Sequence, residues 1–383
     1  MKKMYNFFLL PVTFIGLICF FYPAAAGELA EKQEVRQRQD EFEESAEGKE
    51  YLGERPIGLI SSVDQVVLSG FVEFNYDYVD ASDTADEKSD STSDLYLSSV
   101  EFALRVFFNE WAKAKFVANA EDIGKDNTEN QISLDEAIVT LKLPQAPVYF
   151  SGGKAELPFG VFEDHMISGT LTEDLYEVND VGITLGFAPV FYGLDMSLTI
   201  YEGQNIIENL EDFGTHEFDP GRRKEDDVKS FIASVILNPV EDTLHLAAFY
   251  ASEPGDGNRN RSAGSALTIT LWKFTLDAEY ITALEREKGA DGEENMENAW
   301  FAALAFQPLE DLVMAARYEG FNDDRSGDQD ETVDYRYLAG FNYSFSDFAT
   351  FSFEYRHSRF EKETGSNAAN DQNEFKCQLA LEF

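Results

Sequence analysis

The fold is decided by the last nine residues of the sequence, Phe375-Lys376-Cys377-Gln378-Leu379-Ala380-Leu381-Glu382-Phe383. The odd-numbered positions are apolar, and the even-numbered positions are polar or small. This alternation is typical of a β-strand with one apolar face and one face in water. In a soluble protein such an exposed, apolar strand would favour pairing with other chains. In a closed barrel in a bilayer the same strand meets lipid on its apolar face.

The other end of the sequence indicates an exported protein. Two lysines precede an apolar run over residues 7–22, and three alanines follow at 24–26. This order predicts a secretory signal peptide over residues 1–26. The terminal phenylalanine on an alternating strand resembles the assembly signal of bacterial outer-membrane proteins. That resemblance implies the barrel assembly machinery as a partner.

A polar leader is expected between the signal peptide and the barrel. Residues 28–51 are rich in Glu, Gln, Lys and Arg. They predict a short periplasmic helix or linker over 27–60, with the barrel domain at 61–383. The alternative is a coiled coil, because Val35 and Phe42 are one heptad apart.

The composition excludes several classes of protein. The chain has 33 Phe and 17 Tyr, which is too aromatic for a disordered protein. Its formal net charge of -42 repels nucleic acid, so no nucleic-acid partner is expected. Removal of the signal peptide leaves Cys377 as the single cysteine, so neither an internal disulfide nor a cysteine metal site is expected.

Alternating segments recur from Val66 to the end of the sequence. No segment after the signal peptide is long and apolar enough for a transmembrane helix, so a membrane-spanning form must be a barrel. The segments predict sixteen strands at 66–78, 95–107, 111–121, 132–142, 148–154, 180–187, 190–202, 227–237, 243–251, 263–271, 273–283, 297–307, 312–321, 333–345, 349–360 and 373–383. Short and long connections alternate, as in an all-β outer-membrane barrel with short periplasmic turns and long outer loops. A soluble β-sandwich, the alternative, does not explain this alternation.

Charged side chains fall on one face of the predicted strands and aromatic side chains on the other. Strand 349–360, for example, places Phe351 and Phe353 opposite Glu354 and Arg356. The aromatic face is assigned to lipid and the charged face to a water-filled lumen. The candidate lumen-wall residues are Arg105, Lys113, Lys115, Arg317, Arg336, Arg356, Glu101 and Glu354. Their mixed charges predict an electric field across the lumen, through which polar solutes pass. The alternative is that these side chains only pair with strand neighbours and solvate the wall.

Much of the acidic excess lies in three predicted outer loops, 79–94, 203–226 and 322–332. Clustered carboxylates are ligands for Ca²⁺ or Mg²⁺, so divalent ions could bridge these loops to lipopolysaccharide. The alternative is a solvated acidic surface. No other cofactor is expected.

Catalytic motifs are missing from the sequence. It contains neither a Gly-x-Ser-x-Gly elbow nor a His-Glu-x-x-His pair. The protein is therefore predicted not to be an enzyme. An outer-membrane enzyme or adhesin remains the alternative from another functional class.

The most distinctive segment begins at Val148 and continues through the third long loop, 155–179. It contains Pro158-Phe159-Gly160-Val161-Phe162-Glu163, then Met166-Ile167-Ser168, then Leu171-Thr172 and Leu175. In these motifs, and in Asn109-Glu110-Trp111 and Asp135-Glu136-Ala137, the chain resembles the LbtU-type siderophore porin family. The resemblance implies a barrel that passes a ferric siderophore across the outer membrane without a TonB-type plug.

The third long loop of sixteen-stranded porins commonly folds into the lumen. The alternative for residues 155–179 is an ordinary external loop. The candidate constriction and ligand residues are Lys154, Glu156, Phe159, Phe162, Glu163, Asp164 and His165. Lys154 stands where an arginine is expected in many relatives, which weakens the case for a bidentate anion contact there.

Two further questions stay open at the level of sequence. The acidic loops would repel a polycarboxylate ferric complex, so they favour a general or cation-preferring diffusion porin. Small residues on one face of strand 111–121 mark a candidate contact of a homotrimer: Ala112, Ala114, Ala118 and Ala120.

Overall fold

A computed structural model describes residues 63–83, 88–125, 131–162, 164–189, 191–215, 227–289, 292, 294–323, 333–360 and 371–383. In these residues sixteen antiparallel strands form a closed barrel in which each strand pairs with its sequence neighbours and β1 pairs with β16. The strands are β1 Gln65–Asp83, β2 Lys88–Asn109, β3 Ala112–Ile123, β4 Gln131–Lys142, β5 Val148–Glu156, β6 Asn179–Phe187, β7 Asp195–Tyr201, β8 Ser230–Val240, β9 Leu244–Glu253, β10 Asn260–Leu271, β11 Phe274–Glu285, β12 Glu297–Leu309, β13 Leu312–Asp323, β14 Val333–Ser346, β15 Ala349–Phe360 and β16 Asp371–Glu382. The predicted fold class and all sixteen predicted strands are confirmed.

The terminal stretch forms the seam of the barrel. β16 pairs with β15 on one side and with β1 on the other, where Tyr76 lies opposite Cys377. Phe383, which follows β16, exchanges two backbone hydrogen bonds of 3.0 Å with Gly70. The alternating strand that predicted a barrel therefore closes it.

The two faces of the strands separate as predicted. Large aromatic side chains such as Phe102, Phe116 and Tyr343 are exposed on the outer surface. Charged side chains such as Arg317 and Glu354 lie on the inward face and are buried. An apolar outer wall around a polar interior is the arrangement that a bilayer requires.

The first outer connection is shorter than the sequence predicted. Residues 79–94 were expected to form a long loop, but β1 and β2 continue to pair as far as Asp83 opposite Lys88. Beyond the lipid a two-stranded ladder needs no apolar face, so polarity there does not mark the end of a strand. β7 also begins later than predicted, because a 3₁₀ helix at Phe191–Gly193 precedes it.

Two connections carry helices into the barrel. We call residues 157–178, between β5 and β6, the inserted loop, and residues 202–215, after β7, the support loop. The inserted loop contains α1, Leu171–Tyr176, and the support loop contains α2, Asn205–Asp212. A capping box fixes the start of α1, since the Thr170 hydroxyl accepts a 3.0 Å hydrogen bond from Glu173 N.

The main apolar cluster lies inside the barrel, around these two loops. Its buried members are Leu157, Phe159, Phe162, Leu171, Leu175, Tyr176, Val178, Tyr201, Ile206, Ile207, Leu210, Ile232, Ala247, Phe249, Ala251, Ile281, Ala299, Phe321 and Val333. The loops therefore pack on the inner wall and fill part of the lumen.

The predicted signal peptide and leader, 1–26 and 27–60, lie outside the described residues. Within the described part of the chain, no helix has the length and hydropathy to cross a bilayer.

Candidate functional site

The inserted loop lies within the lumen because its main chain binds inward-facing side chains of the wall. Val161 N donates a 2.8 Å hydrogen bond to Glu279 of β11, and Leu171 N donates a 3.0 Å bond to Glu319 of β13. A third wall carboxylate, Glu354 of β15, takes part in the same way. We call the inward faces of β11–β15 the docking wall.

Glu354 makes the densest of these contacts. It accepts hydrogen bonds from Ile167 N at 2.9 Å, from Ser168 N at 3.0 Å and from Ser168 Oγ at 2.6 Å. An irregular loop has no strand partner for its N–H groups, and a buried N–H without a partner is costly. Hydrogen bonds to a carboxylate are stronger than neutral ones, so Glu354 both satisfies and fixes this turn.

Two predicted arginines complete the docking wall. Arg317 donates to the carbonyl oxygens of Ser168 at 3.0 Å and Gly169 at 2.7 Å. It also forms ion pairs with Asp164 and, at 3.2 Å, with Glu319. Alternating charges along the docking wall thus bind both the donors and the acceptors of the loop backbone.

Arg336 binds the loop one strand further on. Its Nη1 lies 3.1 Å from Asp174 of α1 and 3.7 Å from Glu319. The predicted wall residue Arg356 pairs instead with Glu374 of β16 and has no contact with the loop among the ion pairs of the described residues.

Phe159 and Phe162 anchor the loop rather than line the open channel. Phe159 is fully buried, with its ring centroid 5.3 Å from Phe249 and 6.3 Å from Tyr176 in edge-on arrangements. Phe162 has a positive φ of 54° and covers Gly160, where a Cβ atom would lie 2.1 Å from its ring. These residues were predicted as ligand contacts, but their rings belong to the apolar cluster.

Tyr176 ties the end of α1 to the wall. Its hydroxyl donates a 3.0 Å hydrogen bond to Glu297 of β12. Burial, followed by the nearby Glu297 carboxylate, raises the pKa of Tyr176 well above its ordinary value. The phenol therefore keeps its proton, and donates this hydrogen bond, at neutral pH.

Lys154 and Glu156 do not face the lumen. Lys154 lies opposite Val181 of β6, which is 59% exposed on the outer surface. Register places both residues on the same outward face of β5, with Glu156 exposed at the end of the strand. Their prediction as constriction residues is therefore wrong. The sequence did not reveal their face, because Gly152 and Gly153 interrupt the alternation of apolar and polar residues along β5.

The remaining predicted loop residues are in the lumen or outside the described part. Asp164 pairs with Arg317, and His165 Nε2 lies 3.6 Å from Asp277 of β11. Burial lowers the pKa of His165, so the imidazole is neutral at neutral pH. Glu163 lies outside the described residues, and its predicted role stays a prediction.

The other predicted lumen residues form a separate group on β2 and β3, which lie outside the docking wall. Arg105 lies directly opposite Lys115, and Lys113 follows on the same inward face. Like charges at opposed positions destabilise a sheet, and Lys115 is offset by an ion pair with Glu136 at 3.0 Å. We call Arg105, Lys113 and Lys115 the basic group; Glu101 lies on the same face of β2.

Sequence reasoning missed the part that Glu279 and Glu319 play in holding the loop. Their inward phase was visible in the alternation of β11 and β13, but their partners lie more than a hundred residues away in the chain. It also missed the inward position of the support loop. The signal for it was present in the apolar spacing of Ile206, Ile207 and Leu210 within an acidic stretch.

No group of His, Cys, Asp and Glu residues in the described ranges is arranged to hold a metal ion. Residues 84–87, 216–226 and 324–332 of the predicted acidic loops are outside those ranges. Calcium or magnesium binding there stays a prediction.

Solved structures share this architecture. The outer-membrane channel DcaP of Acinetobacter baumannii matches with a TM-score of 0.66 and 11% identity, over 83% of this chain and 97% of that chain. An anion-selective porin from Comamonas acidovorans matches with a TM-score of 0.61 and 13% identity, over 83% and 99%. OmpT of Vibrio cholerae, in a trimer form, matches with a TM-score of 0.55 and 13% identity, over 83% and 99%. At these identities the likeness is one of fold.

Among curated proteins, none matches this chain. The model of the Gram-negative porin family matches residues 45–374, which include nearly the whole barrel. The closed sixteen-stranded barrel and the loop docked in its lumen agree with that match. The chain belongs to the Gram-negative porin family and resides in the bacterial outer membrane.

Proposed function

We propose that the protein is a diffusion channel whose size limit is set by the inserted loop. The observation that carries this proposal is the docking of residues 161–171 on the inward face of β11–β15. A loop held there narrows the barrel, and the family and fold indicate a channel and not an enzyme.

The solute that we propose is a ferric siderophore. The support for this cargo is the resemblance over residues 158–175. These residues belong to the inserted loop, which is docked on the inner wall. The basic group on β2 and β3 adds attraction for anionic chelating groups within the lumen. The acidic outer loops oppose such a solute, so attraction must act at short range, inside the barrel.

A general diffusion porin is the second candidate. The carboxylates Asp174 and Glu173 on α1 and the basic group lie on different sides of the lumen, an arrangement that small polar solutes of either sign can pass. This candidate makes no use of the motif resemblance.

We also infer a homotrimer as the assembled form. OmpT of Vibrio cholerae, a structural neighbour, is described in a trimer form. The outward positions of β3 include the small residues Ala112, Ala114, Ala118 and Ala120, but Ala112 and Ala114 are buried in the single barrel and Phe116 on the same face is exposed. Chemical cross-linking in native membranes should give trimers, and only monomers would contradict the inference.

Planar-bilayer recording separates the two candidates for the cargo. The purified protein should give stepwise channels in salt, and adding a ferric siderophore should reduce the current as the solute occupies the lumen. The iron-free siderophore and a neutral sugar serve as controls. Large channels that no siderophore affects would favour the general porin, and absence of channels would contradict the proposed function altogether.

The corresponding test in cells uses radioactive iron. Deleting the gene should lower uptake of the ferric siderophore and leave sugar uptake unchanged. Equal losses for both solutes would favour the general porin.

A further inference from the structure

The support loop is also fastened inside the barrel. Glu253, the last residue of β9, accepts hydrogen bonds from Ile206 N at 3.1 Å, from Ile207 N at 3.4 Å and from the Tyr201 hydroxyl at 2.8 Å. Gln204 donates to the carbonyl oxygen of Pro254 just beyond. A wall carboxylate thus satisfies the free N–H groups in the first turn of α2 and orients the helix.

The apolar face of α2 points toward α1. Ile206, Ile207 and Leu210 are almost completely buried and belong to the same cluster as Leu175 and Tyr176 of α1. The charged residues of α2 include Glu211, which is exposed. Burial of these three aliphatic side chains between the helices stabilises their contact.

A polar contact joins the two loops as well. Asn209 Nδ2 donates a 2.8 Å hydrogen bond to the carbonyl oxygen of Glu177, directly after the last turn of α1. The last carbonyl groups of a helix have no partner within the helix, so this amide serves as a cap supplied by the neighbouring loop. Asn205 adds a 2.7 Å bond to Asp180 at the start of β6.

α1 cannot hold its position unaided. It has only six residues, and an isolated helix of that length is unstable in water. The docking wall holds one side through Glu279, Glu297 and Glu319, whereas α2 holds another. Loss of the contact with α2 would leave α1 attached along one side and free to move.

We propose that the support loop positions α1 through its contacts with that helix and thereby sets the width of the constriction. Ile207, Leu210 and Asn209 are the positioning residues. The inference rests on the proposed function, because a width has meaning only in a conducting channel.

Solute exclusion provides the test. Ile207→Ala and Asn209→Asp proteins are reconstituted in liposomes, and swelling rates are measured with a small and a large neutral sugar. Both variants should raise the rate ratio of the large sugar to the small one, and should increase current noise in single channels. Ile183→Ala is the matched control, since Ile183 is 48% exposed on the outer face of β6.

Conservative variants separate positioning from simple loss of stability. Ile207→Val retains most of the side chain and should restore the wild-type ratio, even if its thermal stability is lower. A wild-type ratio in Ile207→Ala or an equal change in Ile183→Ala would overturn the proposal. If Ile207→Ala does not fold, the isosteric Asn209→Asp decides, and an unchanged ratio there is equally contrary. Failure of the wild-type protein to conduct would instead overturn the proposed function.

Discussion

At the scale of single residues, the docking wall uses carboxylates to accept hydrogen bonds from the N–H groups of the inserted loop. In a strand or a helix, backbone carbonyl oxygens would accept those hydrogen bonds. Glu354 binds two successive backbone N–H groups and a hydroxyl of the inserted loop. The wall carries charged side chains because it faces water, and the N–H groups of the inserted loop need acceptors. Glu354 meets both requirements. The position of the loop therefore depends on a few side chains.

Glu354→Gln should loosen the turn at Ser168. The amide is uncharged and offers one acceptor oxygen instead of two, so the charge-assisted hydrogen bonds to Ile167 and Ser168 weaken, at a cost of about 1–3 kcal/mol. Single-channel recordings should show a larger mean conductance with more frequent fluctuations. Glu241→Gln, in the exposed turn between β8 and β9, is the control. Steady, wild-type channels in Glu354→Gln would show that this carboxylate does not hold the loop.

The face of a strand on which a side chain lies was predictable from sequence only where apolar and charged residues clearly alternate. Arg317 and Arg336 lie between apolar residues, and the structure places both in contact with the inserted loop. Lys154 follows two glycines, which carry no side chain to mark a face, and it points outward. The burial of Phe159 depends on Phe249, which lies ninety positions further along the chain, so no local pattern could indicate it.

At the scale of elements, the seam between β1 and β16 is closely packed at Gly70. A Cβ atom on Gly70 would lie 2.5 Å from the carbonyl oxygen of Glu101 and 2.7 Å from the ring of Phe383. Glycine at this position lets the final ring lie against the backbone of β1. The seam thus joins its two strands by backbone pairing and by this ring contact.

Gly70→Ala should impair closure of the barrel, as should deletion of Phe383. Overpacking of this kind costs about 1–3 kcal/mol and acts on the pair of strands that closes the barrel. The folded fraction is measured by heat-modifiable migration on gels after refolding into liposomes. Gly152→Ala is the matched control, because its nearest neighbour would be 3.9 Å away. Equal folded fractions for the two variants would refute a special role for the seam.

Elements were predicted well when one face meets lipid and poorly elsewhere. All sixteen strands follow from alternation imposed by the bilayer. The extension of β1 and β2 to Asp83 and Lys88 lies beyond that constraint and escaped prediction. α2 escaped it too, because a short amphipathic helix in an acidic loop packs against partners that only the closed barrel brings together.

At the scale of the whole molecule, charge is distributed unevenly between surface and lumen. The chain has a formal charge of -42, and acidic residues are concentrated in predicted outer loops. The basic group on β2 and β3 faces inward instead. A permeating cation is therefore attracted at the acidic outer loops and repelled at the basic group further in. For an anion, the outer loops repel and the basic group attracts.

Salt concentration should separate these two fields. At about 1 M salt the Debye length is about 3 Å, which screens exposed loops but not groups that an ion passes at contact distance. At this salt concentration, replacing Lys113 and Lys115 with Gln should shift the reversal potential toward the value of a cation-selective channel. At about 0.01 M salt the screening length is about 30 Å, so the acidic surface dominates and the shift should shrink. A double Gln variant of Lys229 and Lys288, both exposed in connections between strands, removes the same charge elsewhere. If that variant shifts the potential at high salt as much as the first does, selectivity follows total charge and not the basic group in the lumen.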